Sequence, residues 1–141
     1  MGMRQLSDII FRQRPVTLPA TATVKEACGQ MKACQCGSVL ITDQAGHLVG
    51  IFTGRDAVSR VLADGRDPQK TKLADVMTKE PVTMSPGETA IEALRVMWSG
   101  GFRHLPVLDG IKIVGIVSRG DFKGHEQDRL DEECDLWEHL R

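Results

Sequence analysis

The 141-residue sequence predicts an α/β fold of the α+β kind, two βαββα repeats followed by a C-terminal helix. Three observations predict it. The first is an internal repeat, in which Pro15-Val16-Thr17-Leu18 returns as Pro81-Val82-Thr83-Met84 and Val49-Gly50-Ile51 returns as Val114-Gly115-Ile116. The second is that each copy opens a helix with the same cap-like start, Thr23-Val24-Lys25-Glu26 and Thr89-Ala90-Ile91-Glu92. The third is that each helix is followed by a pair of strand-like runs around a turn, and the second pair meets at Asp109-Gly110.

Each copy reads in one order. A Pro-Val-Thr strand leads to a helix with an apolar stripe: Val24, Ala27, Cys28 and Met31 in the first, Ile91, Leu94, Met97 and Trp98 in the second. Two strands follow, Val39 to Thr42 with His47 to Phe52, and Leu105 to Leu108 with Lys112 to Val117. A last helix is expected to start after Thr53 or Ser118. The leading Leu6-Ser7-Asp8-Ile9 is echoed by Leu73-Ala74-Asp75-Val76. The repeats therefore divide the chain as 1–65 and 66–124, with an acidic amphipathic helix over 125–141. A unit this short has too little interior to stand alone, so the two are expected to pack sheet to sheet about a pseudo-two-fold axis. Clefts between the sheets would then be natural ligand sites.

Composition narrows the function classes. A net charge of -1 is a poor match for a duplex-DNA binder, which needs a basic excess to neutralise phosphates. The apolar runs are strand-sized, too short for a membrane span. Met1 to Gln13 carries no signal-peptide pattern, and the expected location is cytoplasmic. Cys28, Cys34, Cys36 and Cys134 form no CxxC pair, and such a chain needs no disulfides. Cys28 sits on the apolar stripe as a core residue. Cys34 and Cys36 are read as structural or incidental, with oxidant sensing or metal binding as the alternative; no metal site is expected.

The chemistry concentrates in Gly50-Ile51-Phe52-Thr53-Gly54-Arg55-Asp56 and Gly115-Ile116-Val117-Ser118-Arg119-Gly120-Asp121. In both, Gly and two apolar residues precede a hydroxyl residue, and Asp follows three positions later. N–H groups at a helix start favour an anion, so a phosphate suits the position of Thr53 or Ser118. The Asp carboxylate offers two acceptors to the paired hydroxyls of a ribose. The same spacing is also a plain helix cap. Two copies at equivalent places, each with a Gly that gives a ligand access to the backbone, favour the binding role. Arg55 and Arg119 are phosphate contacts or solvated side chains, in equal measure.

With these motifs, the span from about Leu6 to Gly124 resembles a tandem pair of cystathionine-β-synthase (CBS) domains, the Bateman module. The resemblance implies a regulatory sensor of AMP, ADP, ATP, S-adenosylmethionine or NAD-type ligands, assembled as a homodimer. It implies that Asp56 and Asp121 hold ribose and that Thr53 and Ser118 supply the hydroxyls. Adenine would lie against the Pro-Val strand starts, Val16 in one copy and Pro81 with Val82 in the other, and Ile51 and Ile116 complete the motif strands. Basic residues before a Leu-Pro-Val strand lie near the phosphates in this family, which falls on Arg103, His104, Leu105 and Pro106. The first copy departs, with Gly37-Ser38-Val39-Leu40 there, so the two sites are not expected to be equal.

From Glu126 to Glu138 seven acids face one arginine, while Leu130, Cys134, Trp137 and Leu140 recur at helical spacing. That helix is expected to pack back on the module or a dimer partner, with docking of another protein as the alternative. No Walker loop, nucleophile-base pair or metal-ligand cluster is present, so binding without turnover is expected and no catalytic cofactor. The rival reading is a dimerisation or interaction module without a ligand.

Overall fold

The computed structural model describes residues 4–129, so most of the expected acidic C-terminal helix lies outside the described residues. The fold is α+β with two sheets. In chain order the elements are α1 (Leu6–Ile9), β1 (Thr17–Pro19), α2 (Val24–Cys34), β2 (Ser38–Thr42), β3 (Leu48–Thr53), α3 (Gly54–Asp56), α4 (Leu73–Val76), β4 (Thr78–Lys79), α5 (Ala90–Gly100), β5 (His104–Asp109) and β6 (Lys112–Ser118). Helix α3 runs directly into a π-helical stretch, Ala57–Leu62.

Both long helices start as their sequences dictate. Thr23 Oγ1 accepts the Glu26 N–H and Thr89 Oγ1 accepts the Glu92 N–H, each at 3.2 Å. Both end in a left-handed residue, Gln35 in α2 and Gly101 in α5. The α2 stripe buries Val24, Ala27 and Met31, and Cys28 packs half-buried beside them, its thiol pushed up by burial. The α5 stripe buries Ile91, Leu94 and Met97 but leaves Trp98 exposed.

Two compact units divide the chain, and they do not follow the repeat boundaries. One holds Arg14–Val82 with Ile111–Ile113. The other gathers the N-terminal stretch through Gln13, Thr83–Gly110 and the stretch from Val114. In the first unit β1 pairs parallel with β2, and β2–β3 and β3–β4 are antiparallel. Its core is Val24, Ala27, Val39, Ile41, Phe52 and Val61 with Leu73 and Val76 of α4. The second unit holds the two-stranded β5–β6 sheet, and its core adds Leu6 and Ile10 to Leu94, Met97, Leu105, Val107, Val117 and Phe122. Each short lead helix thus belongs to the other repeat's core. The backbone bonds repeat this exchange: Leu73 N–H donates to Ala22 C=O in one unit, and Leu6 N–H to Glu88 C=O in the other, both at 2.9 Å.

Three sequence expectations are corrected. The second Pro-Val-Thr run is not a strand: it makes a single parallel bridge to β5, Met84 to Val107, and before it Thr78–Lys79 pairs with β3, after which Glu80 turns the chain at φ 47°. The helix after Ser118 does not start there. A 3-10 turn, Arg119–Asp121, is broken by Phe122, whose extended backbone sends its ring into the core, and residues 124–129 are helical. Lastly, Cys34 and Cys36 are joined in a disulfide, because the left-handed Gln35 between them folds the chain back to a Cα–Cα separation of 5.3 Å.

Candidate functional site

The two motif turns are built alike. In the first unit, Thr53 N–H donates to Asp56 Oδ2 at 3.0 Å, and the Thr53 hydroxyl donates to the same oxygen at 3.2 Å. Asp56 N–H returns a bond to Thr53 Oγ1 at 3.3 Å. In the second unit, Ser118 N–H and hydroxyl donate to Asp121 Oδ2 at 2.7 and 3.3 Å. Each aspartate therefore caps its own turn through Oδ2, so the capping role is real in both copies. Oδ1 stands outside the cap. On Asp56 it lies 3.7 Å from Arg60 Nε, and Arg60 also donates to the Val76 and Met77 carbonyls at 3.3 and 3.1 Å.

The strand preceding each turn sets what lies beside it. Thr53 pairs in register with Ser38, and Gly54 N–H donates to Gly37 C=O at 3.0 Å. At the equivalent place in the second unit, Arg119 N–H donates to Arg103 C=O at 3.1 Å. Arg103 and His104 therefore flank the Ser118–Asp121 turn of their own repeat. His104 is half-buried: burial lowers its imidazole pKa, the Asp121 charge raises it, and Arg103 lowers it further, with a net lowering. Glycine and serine take these two places in the first unit, where the basic neighbour of Asp56 is instead Arg60 of the π-helical stretch.

The motif glycines have a different reason from the one expected. A Cβ on Gly50 would lie 2.5 Å from Met77 Sδ, and one on Gly115 would lie 2.6 Å from both Cβ and Cγ2 of Ile10. The space is taken by the chain itself, in each case by the residue following a lead helix, and not by an approach route for a ligand. Gln13 completes this seal, its Oε1 accepting the Ile116 N–H at 2.9 Å.

The remaining predicted residues fall differently. Val16 is half-buried at the edge of the first core, and its carbonyl accepts the Leu40 N–H at 3.0 Å. Val82 is 51% exposed, with Pro81 half-buried before it, so the two Pro-Val segments are not equivalent. Leu105 and Pro106 are buried, as is Ile51, while Ile116 is half-buried. Arg55 is exposed and Arg119 half-buried.

Sequence reasoning missed Arg60, Gln13 and a buried ion pair. Arg4 Nη2 meets Glu126 Oε1 at 2.7 Å and donates to the Asp121 carbonyl at 3.0 Å. Burial alone would raise the Glu126 carboxyl pKa. The Arg4 hydrogen bond, the Lys123 N–H and the charges of Arg4 and His125 outweigh burial and hold it below the ordinary value. Gln13 and Arg4 carried no signal because they lie far from the motifs in sequence.

Known proteins share this plan. The CBS domain family matches the chain twice, over residues 6–63 and 73–126. The chain belongs to the CBS-domain family. A CBS domain-containing protein of Bacillus subtilis, YhcV, is 36% identical over 119 residues, covering 84% of this chain and 83% of its own length. The Arabidopsis thaliana CBS domain-containing protein CBSCBSPB3 is 36% identical over 104 residues, 74% of this chain, which spans only 19% of that relative. Among solved structures, a CBS-domain containing protein from Agrobacterium tumefaciens aligns with a TM-score of 0.77 at 33% identity, over 83% of this chain and 94% of that one. The CBS domain pair of protein MJ0100, solved in complex with 5′-methylthioadenosine and S-adenosyl-L-methionine, aligns with a TM-score of 0.77 at 25% identity, over 94% and 98%. No helix among the described residues is long and apolar enough to cross a membrane.

Proposed function

We propose that this chain is a regulatory module that binds adenosine-containing ligands at its two motif turns and does not transform them. The observation that carries the reading is the matched pair of turns, in which Asp56 and Asp121 each cap through Oδ2 while Oδ1 stands outside the cap. A carboxylate fixed in place by its own backbone is pre-oriented to accept hydrogen bonds from vicinal ribose hydroxyls, which limits the ordering cost of binding. The complex of the MJ0100 pair with two adenosyl compounds supports the ligand class. Nucleotide phosphates, where present, meet Arg103 and His104 in the second repeat, with Arg119 as a further donor. AMP, ADP, ATP, NAD-type ligands and S-adenosylmethionine all share the ribose that the aspartates address. Output passes through a homodimer or a protein partner, as a coupling between ligand and assembly. A cytoplasmic setting fits this role.

Mass spectrometry of compounds that co-purify with the native protein, with a thermal-shift panel of adenosyl and pyrimidine nucleotides, tests the reading. Adenosyl compounds raise the melting temperature and UMP does not. Equal shifts from AMP and UMP contradict it and leave the interaction module without a ligand as the account.

A further inference from the structure

The two repeats leave their first long helix through the same left-handed turn but with different residues. The second repeat uses Gly101, φ 72°, and the first uses Gln35, φ 56°. Glycine adopts this conformation without steric penalty, whereas a residue with a Cβ does not. Gln35 is flanked on both sides by the bridged cysteines, so Cys34-Gln35-Cys36 stands where the second repeat has Gly100-Gly101-Phe102.

A bridge around one residue closes almost no loop, so it adds little to global stability by restricting the unfolded chain. What it fixes is the backbone of Gln35. That turn carries structure: Cys36 N–H donates to Met31 C=O at 3.1 Å, closing α2. One residue on, Gly37 C=O accepts the Gly54 N–H that opens the Thr53–Asp56 turn. Cys34 is exposed and Cys36 half-buried, so the pair is open to reagents in solution.

We propose that Cys34 and Cys36 form a reversible thiol–disulfide modification site, oxidised by a small-molecule disulfide such as oxidised glutathione, whose bridge holds Gln35 in the conformation that Gly101 adopts unaided. The exposed Cys34 thiolate attacks one sulfur of the glutathione disulfide, forming a mixed disulfide and releasing one glutathione thiolate. The Cys36 thiolate then attacks the Cys34 sulfur and expels the second glutathione. Two thiol protons and two electrons move to the two glutathione molecules, and one protein disulfide is gained. The site does not depend on the ligand reading.

The test takes the full chain through oxidised glutathione or excess dithiothreitol, then denatures, alkylates and maps it by mass. After glutathione, the peptide holding both cysteines takes no alkyl group and is lighter by two hydrogens; after dithiothreitol it takes two. Hydrogen exchange on the folded chain shows residues 35–37 and Gly54 exchanging roughly five- to thirtyfold faster in the reduced state, the range set by the left-handed penalty of a non-glycine residue. Gln35→Gly, which removes that penalty, abolishes the difference between the two states. Full alkylation after oxidised glutathione, or a glutathione adduct that persists on one cysteine, overturns the proposal. So does equal exchange in the two wild-type states, or a redox difference that survives Gln35→Gly unchanged. Zinc that protects both thiols while both hydrogens remain on an oxidant-treated chain makes the pair a metal site and also overturns it.

Discussion

Asp56 and Asp121 each cap their own turn through Oδ2, and the proposed ribose contact falls to the second oxygen. A Cβ at either motif glycine would meet occupied space, but with unequal consequences. The Cβ of an alanine at 115 would strike Ile10 Cβ and Cγ2, which a stiff β-branched side chain cannot move aside. At position 50 the closest atom is the thioether sulfur of Met77, which can rotate away. Gly115→Ala is therefore expected to destabilise by about 2–3 kcal/mol and Gly50→Ala by about 1 kcal/mol. Urea unfolding of both variants measures this, and the reverse order contradicts the packing account. His104 adds a pH dependence. Its folded pKa is lowered from 6.5, chiefly by burial, so its stability contribution is complete above 6.5. That contribution is lost as the pH falls through the folded value, because the unfolded chain takes up the proton first. Melting temperatures between pH 7.5 and pH 5 should fall less steeply in His104→Asn than in the wild type; equal slopes place the acid sensitivity elsewhere.

Among the elements, α1 and α4 matter more than their single turns suggest. Each supplies fully buried residues to the core of the other repeat, Leu6 in one and Leu73 in the other. Arg4, just before α1, holds the buried Glu126 carboxylate and the carbonyl of Asp121. Arg4→Ala leaves that carboxylate buried without its cation, which costs on the order of 3 kcal/mol. Because the folded Glu126 pKa is depressed, this stabilisation is present above its ordinary value of 4.5 and lost as the pH falls through the folded value. Unfolding at a series of pH values tests both statements: the difference between the wild type and Arg4→Ala at pH 7 narrows as the pH falls below 4.5, and a constant difference contradicts them. The strand pairs, the helix starts and the duplicated turns were legible because caps, hairpin turns and apolar periodicity are local. The exchange of lead helices was not, since a four-residue helix has no periodicity that tells which core it enters. Phe122 misled the helix prediction in the same way: its burial is a tertiary preference that overrides a local helix start.

For the whole molecule, two compact units each carry one complete motif turn, and the repeat boundary in sequence is not their boundary in space. Val58 and Leu62, four residues apart on the π-helical stretch, are exposed apolar side chains, as is Trp98 on α5. We expect them to be covered in a homodimer. Sedimentation at micromolar concentration should give twice the chain mass, and a monomer with or without AMP rejects this. The proposed binding role rests above all on Asp56 and Asp121, and calorimetric titration of AMP into the wild type and the double variant Asp56→Ala, Asp121→Ala tests it most directly. Losing the charged acceptors should lower affinity roughly a hundredfold, beyond detection at concentrations that saturate the wild type, while circular dichroism shows the fold retained. Undiminished AMP affinity in the folded double variant would contradict the account.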